Sequence, residues 1–148
     1  MGLRHLGREF ALKALYEIDI RGGATGEDLT LLFDSFHPDE RARRFAVQLV
    51  EGVQRHRLPL DKHLAAVLEN WSIGRLSRVD HNILRLALYE LLWMEEIPAR
   101  VTIDEAIELA KRYGDQDSGR FVNGVLDQLA ERLALKQKGE ERGVGKES

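Results

Sequence analysis

DSGRFVNGVLDQLA, residues 117–130, admits two readings that lead to different folds. Phe121-Val122-Asn123-Gly124-Val125-Leu126 has the form of a tight β-hairpin, because Asn-Gly supplies the two positive-φ positions of a type I′ turn. A hairpin needs a second alternating strand. Residues 125–135 keep a helical period instead, with Val125, Leu129 and Leu133 on one stripe beside Leu126. The stretch is therefore helical, and Gly124 costs it up to about 1 kcal/mol relative to Ala. Two explanations of that glycine stay open: a neighbouring helix packed against the missing side chain, or a ligand touching backbone beside Arg120 and Phe121. At roughly 100° per residue, Phe121 falls at one rim of the stripe. Asp117, Arg120 and Gly124 project beyond that rim, with Asn123 and Asp127 further round.

The same period runs through the rest of the chain. Leu3, Leu6, Phe10, Ala14 and Ile18 recur at helical spacing until Gly22-Gly23 stops them. A weaker segment spans Asp28 to Phe36. Pro38 suits the first turn of a helix carrying Phe45, Leu49 and Val53, and Pro59 starts another with Leu60, Leu64, Val67 and Leu68. Trp71-Ser72-Ile73-Gly74 divides the chain into an N-terminal helical lobe, 1–70, and a C-terminal lobe, 75–136, of one domain. Ser77-x-x-Asp80 is an N-terminal cap. The helix behind it (Ile83, Leu84, Leu86, Ala87, Leu88, Leu91, Leu92) has so little polar face that it must be central. Thr102-x-x-Glu105 reads as a capping box, Gly114 as the stop of its helix, and the last helix runs from Ser118 to Leu135. Residues 137–148 are charged and glycine-rich, the composition of an unstructured tail.

The first helix carries more than one side's worth of contacts. Its stripe centres on Phe10 and Ala14; Arg4 and Arg8 lie along one edge, with His5 further out. Leu12 and Tyr16 fall outside the stripe, which suggests a second contact surface or a further helix of the same protein covering them.

Bulk properties exclude several classes. With 43% hydrophobic residues in 148, the chain can bury a core. It has no cysteine, so neither disulfides nor thiolate metal sites arise, and a reducing cytoplasm fits. Neither a signal sequence nor a membrane-length apolar run is present. Net charge is −3, spread evenly: 10 basic and 11 acidic residues in 1–74, 12 and 14 in 75–148. Any nucleic-acid site must therefore be a local patch rather than a whole-protein field.

Catalytic motifs are absent. The five histidines (His5, His37, His56, His63, His81) make no His-Glu-x-x-His and no Glu-x-x-His. Asp61-x-His63 and Asp80-His81 read as surface solvation. Asp104 and Glu108 share a helix face, which a solvated surface explains more cheaply than acid–base chemistry. The glycines at 22–26 lack the Gly-Lys-Ser/Thr ending of a phosphate loop, and no Gly-x-Ser-x-Gly elbow appears.

VTIDEAIELAKRYG (101–114) followed by DSGRFVNGVLD (117–127) resembles the C-terminal signature of the NusB transcription antitermination family. ILRLALYEL (83–91) and REFALKALYEID (8–19) match as well, in order along nearly the whole chain. The resemblance implies an all-α protein of two small helical bundles packed together, about seven helices. It implies no catalysis and no cofactor. The implied partners are single-stranded boxA RNA of ribosomal RNA operons, the small-subunit ribosomal protein NusE and the RNA polymerase antitermination complex. Position by position, the family's RNA-contacting segments fall on Arg4, His5 and Arg8, and on Asp117, Ser118, Arg120, Phe121 and Asn123. Its NusE-contacting positions fall on Tyr16 and Asp80. The chain departs from the family's fuller arginine cluster at Leu6 and Gly7.

Three other readings compete. One is the NusB-like RNA-binding region that precedes the catalytic part of some ribosomal RNA methyltransferases, against which no alternating strands occur in these 148 residues. Another is a helical scaffold whose exposed stripes serve homodimerisation. The third, a hydrolase using Asp104, Glu105 and Glu108, rests on proximity alone.

Overall fold

The computed structural model describes residues 2–23, 31, 34, 39–68 and 76–135. Among these there are six helices and no strand: α1 (Leu3–Arg21), α2 (Glu40–Arg55), α3 (Arg57–Leu68), α4 (Arg78–Trp93), α5 (Ala99–Tyr113) and α6 (Ser118–Arg132). The expected all-α class holds. The segment 28–36, Pro38, the boundary at 71–74 and the tail at 137–148 lie wholly or largely outside the described residues.

Helix ends follow local chemistry. α1 stops at Gly22, whose φ of 80° suits glycine, and the Gly22 and Gly23 amides donate to the carbonyls of Asp19 and Ile18. Asp39 caps α2 by accepting from the amides of Arg41 and Ala42. Ser77 caps α4 by accepting from the Asp80 amide at 3.0 Å, as its spacing predicts. α3 begins two residues before Pro59, which sits inside the first turn, where its missing N–H costs nothing.

The capping-box reading of Thr102 and Glu105 does not hold. α5 begins at Ala99 after Pro98, and Thr102 is buried with its hydroxyl donating to Glu90 Oε1 at 2.9 Å. Glu105 pairs with His5 instead. α6 ends three residues short of Leu135. Ala134 takes φ 57°, and the amides of Ala134 and Leu135 close on Glu131 and Ala130.

α4 is the axis of the fold. Every other helix packs against it, and its residues Ile83, Leu84, Leu86, Leu88 and Leu91 are all buried. α1 lies antiparallel to it: Arg8 meets Glu90 near one end, and Asp19 meets Asn82 near the other. α2 packs along α1, and α5 and α6 form a helical pair on the other side. Among the described residues, one continuous apolar core joins all six helices.

Candidate nucleic-acid interface

The turn between α5 and α6 fixes the start of the candidate site. The Asp115 amide donates to Ser118 Oγ at 3.0 Å, while Asp115 Oδ1 accepts from the Asp117 amide at 2.9 Å and from the Ser118 hydroxyl at 3.3 Å. These bonds close the turn on itself, as acidic and hydroxyl side chains do in short turns. Ser118 is thereby buried. Asp117, Arg120 and Asn123 remain exposed on the first turns of α6, and Phe121 is half-buried against the core. Arg120 forms no ion pair among the described residues, so its guanidinium is available to an anion. Gly124 is half-buried. Gly119 faces Lys111 and Ile107, seating α6 against α5.

The start of α1 contributes the other half, reorganised from its sequence reading. Arg4 is exposed, 4.0 Å from Glu96 and 5.5 Å above the Phe45 ring. Gly7 explains the interrupted arginine cluster: a Cβ there would lie 2.7 Å from Phe45 Cδ2, so the glycine admits α2. Arg8 is buried, forked onto Glu90 by two hydrogen bonds of 2.8 Å, with Glu105 at 3.8 Å. A solvated edge charge is therefore the wrong description of Arg8. It is an internal clamp between α1 and α4, with little surface to offer a phosphate.

α5 bridges the two stretches. Its Glu105 meets the first helix at His5, whose Nδ1 lies 2.8 Å from Oε1. Two turns further on, Tyr113 donates its hydroxyl to Glu9 Oε2 at 3.2 Å, and Arg112 approaches the same oxygen at 3.4 Å. Burial of the Tyr113 phenol and the neighbouring Glu9 carboxylate raise its pKa. The ring is flanked by Lys13 and Arg112, each with its charge 5.6 Å from the centroid. Sequence reading missed Lys13, Arg112 and Tyr113. The signal was available in Arg112-Tyr113, a cation beside an aromatic just ahead of the glycine that ends α5. Arg4, Lys13, Lys111, Arg112 and Arg120 thus lie on α1, α5 and the start of α6, a strip of cations and aromatic rings with the carboxylates of Glu9, Glu96 and Glu105 among them. Such a strip suits stacking of unpaired bases and contact with phosphates.

The two residues matched to a protein partner separate. Tyr16 is 39% exposed, and Ile20, one turn on, is 54% exposed. Leu12, grouped with Tyr16 on the helical wheel, is buried by neighbouring helices. Asp80 is 6% exposed and lies inward, with the hydroxyls of Ser118 and Ser77 and the carboxylate of Asp115 bearing on it. Tyr16 and Asp80 do not share an exposed surface.

A second polar cluster ties α1 and α3 to α4. Arg85 donates to Asp61 through Nε and Nη2 at 2.8 Å each, and its Nη1 reaches Asp19 at 3.3 Å. His81 Nε2 lies 3.0 Å from Asp61. Asp61 and His81 are thus network members, not the solvated residues their sequence positions suggest. Among the described residues, no group of three or more acidic, histidine or cysteine side chains could hold a metal, and no helix is long and apolar enough to cross a membrane.

Residues 5–131 match the model of the NusB family. The transcription antitermination protein NusB of Geobacter sulfurreducens is 49% identical over 134 residues, covering 90% of this chain and 97% of that protein. The solved structure of T. maritima NusB superposes with a TM-score of 0.80 at 41% identity, covering 93% of this chain and 96% of that one. A crystal structure of the antitermination factors NusB and NusE in complex with dsRNA matches at 30% identity and a TM-score of 0.77, covering 88% and 97%.

Proposed function

The chain belongs to the NusB family, and from that premise we propose that it is an RNA-binding transcription antitermination factor. It binds boxA-type RNA of ribosomal RNA operon transcripts together with NusE, as part of the RNA polymerase antitermination complex. It catalyses no reaction, uses no cofactor and works in the cytoplasm. The observation that carries this reading is the likeness, over nearly the whole chain, to a protein solved with both NusE and RNA.

Within this function the RNA contacts are Arg4, His5, Asp117, Arg120, Phe121 and Asn123, joined by Lys13, Arg112 and Tyr113 across α5. The exposure of Arg120 and Asn123 and the half-exposed Phe121 ring support the assignment. Arg8 and Ser118 serve it from inside, by holding α1 and the α5–α6 turn in place. Tyr16 carries the NusE contact with Ile20 beside it, an aromatic ring whose face buries area while its hydroxyl takes a hydrogen bond.

The test is a titration of labelled boxA-like RNA, as a single strand and as a duplex, with and without NusE, at several salt concentrations. Arg120→Ala lowers the salt slope by about one, as loss of a phosphate contact does. Phe121→Ala loses roughly 1–3 kcal/mol of RNA affinity if a base stacks on the ring. Tyr16→Ala weakens NusE binding measured without RNA. A scrambled RNA bound as tightly as boxA in the presence of NusE would defeat the functional reading.

A further inference from the structure

A buried carboxylate lies in the middle of the cations and rings that α1 and α5 bring together. Glu9 is 7% exposed and stands on α1 between His5 and Lys13, two of the residues proposed to meet RNA. Desolvation of an acid and its repulsion of phosphate both argue against that placement. Its partners account for the first. Glu9 Oε2 accepts the Tyr113 hydroxyl at 3.2 Å, Arg112 Nη1 stands 3.4 Å from the same oxygen, and His5 Nε2 lies 3.8 Å away. Tyr113 and Arg112 come from the end of α5, so one carboxylate oxygen joins the two helices.

Those α5 side chains gain an orientation that they do not give each other. The Arg112 side chain is 66% exposed, and an exposed long cation keeps most of its rotamer freedom unless something holds it. Its guanidinium and the Lys13 ammonium each lie 5.6 Å from the centroid of the Tyr113 ring. Glu9 fixes the hydroxyl end of that ring and the guanidinium beside it at a single point. Buried as it is, the carboxylate has almost no surface of its own to present to RNA.

We propose that Glu9 is a positioning residue for RNA binding: from inside the α1–α5 contact its carboxylate holds Tyr113 and Arg112 in their RNA-competent arrangement, raising affinity despite its negative charge. This rests on the proposed RNA-binding function and on the assignment of Arg112 and Tyr113 within it. It reverses the ordinary sign of a charge change. Removing a carboxylate beside a polyanion normally strengthens binding, most of all at low salt where screening is weakest. Removing this one should weaken it.

Two measurements on the full chain test it. The first is affinity for a boxA-like single strand without NusE, at several salt concentrations, for wild type, Glu9→Gln, Arg112→Ala and the double variant. Glu9→Gln should bind roughly five- to tenfold more weakly, the factor expected when the competent arrangement is populated a fifth to a tenth of the time. Arg112→Ala should cost less affinity in the Glu9→Gln background than in wild type, because the guanidinium is no longer held there. The second measurement follows Tyr113 in the free protein by carbon NMR of ring-labelled tyrosine, with Tyr113→Phe assigning its signal. Burial and the Glu9 carboxylate hold the phenol pKa above its ordinary value, and Glu9→Gln should lower it.

Urea titration establishes that each variant is folded. Should Glu9→Gln fail to fold, Tyr113→Phe decides alone, since it removes the donor and keeps the ring: weaker RNA binding supports the proposal and wild-type affinity overturns it. Equal or tighter RNA binding in folded Glu9→Gln would overturn it. So would an undiminished effect of Arg112→Ala in that background, or an unchanged Tyr113 titration. Absence of wild-type RNA binding would overturn the function and the proposal together, whereas normal wild-type binding matched by Glu9→Gln would overturn the proposal alone.

Discussion

Arg8 and Glu90 meet as a buried fork, Nε on Oε2 and Nη2 on Oε1, both at 2.8 Å, with the Thr102 hydroxyl on Glu90 as well. Both side chains are at most 5% exposed, so the pair has lost nearly all its water. Truncating one partner leaves a charge with no compensation, which costs about 3–5 kcal/mol. Arg8→Ala should lower the unfolding free energy by that amount in urea titrations. Arg8→Met with Glu90→Leu should recover much of the loss, since a well-packed apolar pair often equals a buried ion pair. A loss below about 1 kcal/mol in Arg8→Ala, the scale of an exposed pair, would mean the clamp contributes little.

The Asp19–Arg85–Asp61 network predicts how the protein responds to acid. Burial alone would raise both carboxyl pKa values. Hydrogen bonds outweigh it, from Arg57 and Asn82 at Asp19 and from His81 and Arg85 at Asp61, and hold both below their ordinary value of 3.8. The folded state then binds fewer protons than the unfolded one, so the stabilisation is complete above about pH 4 and is lost as pH falls through the folded values. The gap in stability between wild type and Asp61→Asn should therefore be widest above about pH 4 and shrink progressively as the pH falls below it. A gap that stayed constant would remove the network as its source.

Asp80 has the opposite sign. Its raised pKa means that the folded state favours the protonated form, and the associated stability is lost as pH rises through the folded value. Between about pH 7 and pH 4, wild type should gain stability relative to Asp80→Asn, as read by melts across that range. A difference moving the other way would mean that the carboxylate is stabilised in place.

Gly52 on α2 lies directly under the Tyr89 ring of α4, and a Cβ there would overlap the ring. Tyr89 stacks in turn with Trp93, whose ring centroid is 3.9 Å from that of His56. Gly52→Ala should destabilise by about 1–3 kcal/mol through overpacking and shift Trp93 fluorescence, which a Trp71→Phe background isolates. Unchanged emission would show that the stack tolerates the methyl.

Ala134 takes the left-handed position of the turn that closes α6, where a Cβ costs roughly 1–2 kcal/mol. Ala134→Gly relieves that strain but gives the unfolded chain more freedom, so a net gain of about 0.5 kcal/mol is expected in thermal melts. A loss of stability would show that Ala134 carries no strain.

What was legible in the sequence was local. Gly22 as the end of α1, Ser77 as the cap of α4 and the helical reading of 117–130 each rest on residues within a turn or two of each other. The burial of α4 showed in its lack of a polar face. What was not legible depended on partners far along the chain. Thr102 and Glu105 have the spacing of a capping box, and nothing nearby reveals that one serves Glu90 and the other His5. Arg8 looks like an edge charge on a helical wheel because the wheel cannot contain α4. Asp80 reads correctly as part of a cap, yet its inward burial comes from the turn near Ser118. Lys13, Arg112 and Tyr113 were missed because α1 and α5 gather them only in three dimensions.

Arg8 and Glu90 are 82 residues apart in the chain, and that separation has a consequence during synthesis. At about 5–20 residues per second, a ribosome needs roughly 4–16 s between making one and the other. Over that interval the newly made α1, α2 and α3 can pair only among themselves, and the apolar sides that will face α4 have no cover from it. Arg8 stays hydrated until α4 emerges, and Glu90 gains its third hydrogen bond only after Thr102 is added. Docking of α4 is thus the event that covers the apolar sides of the N-terminal helices.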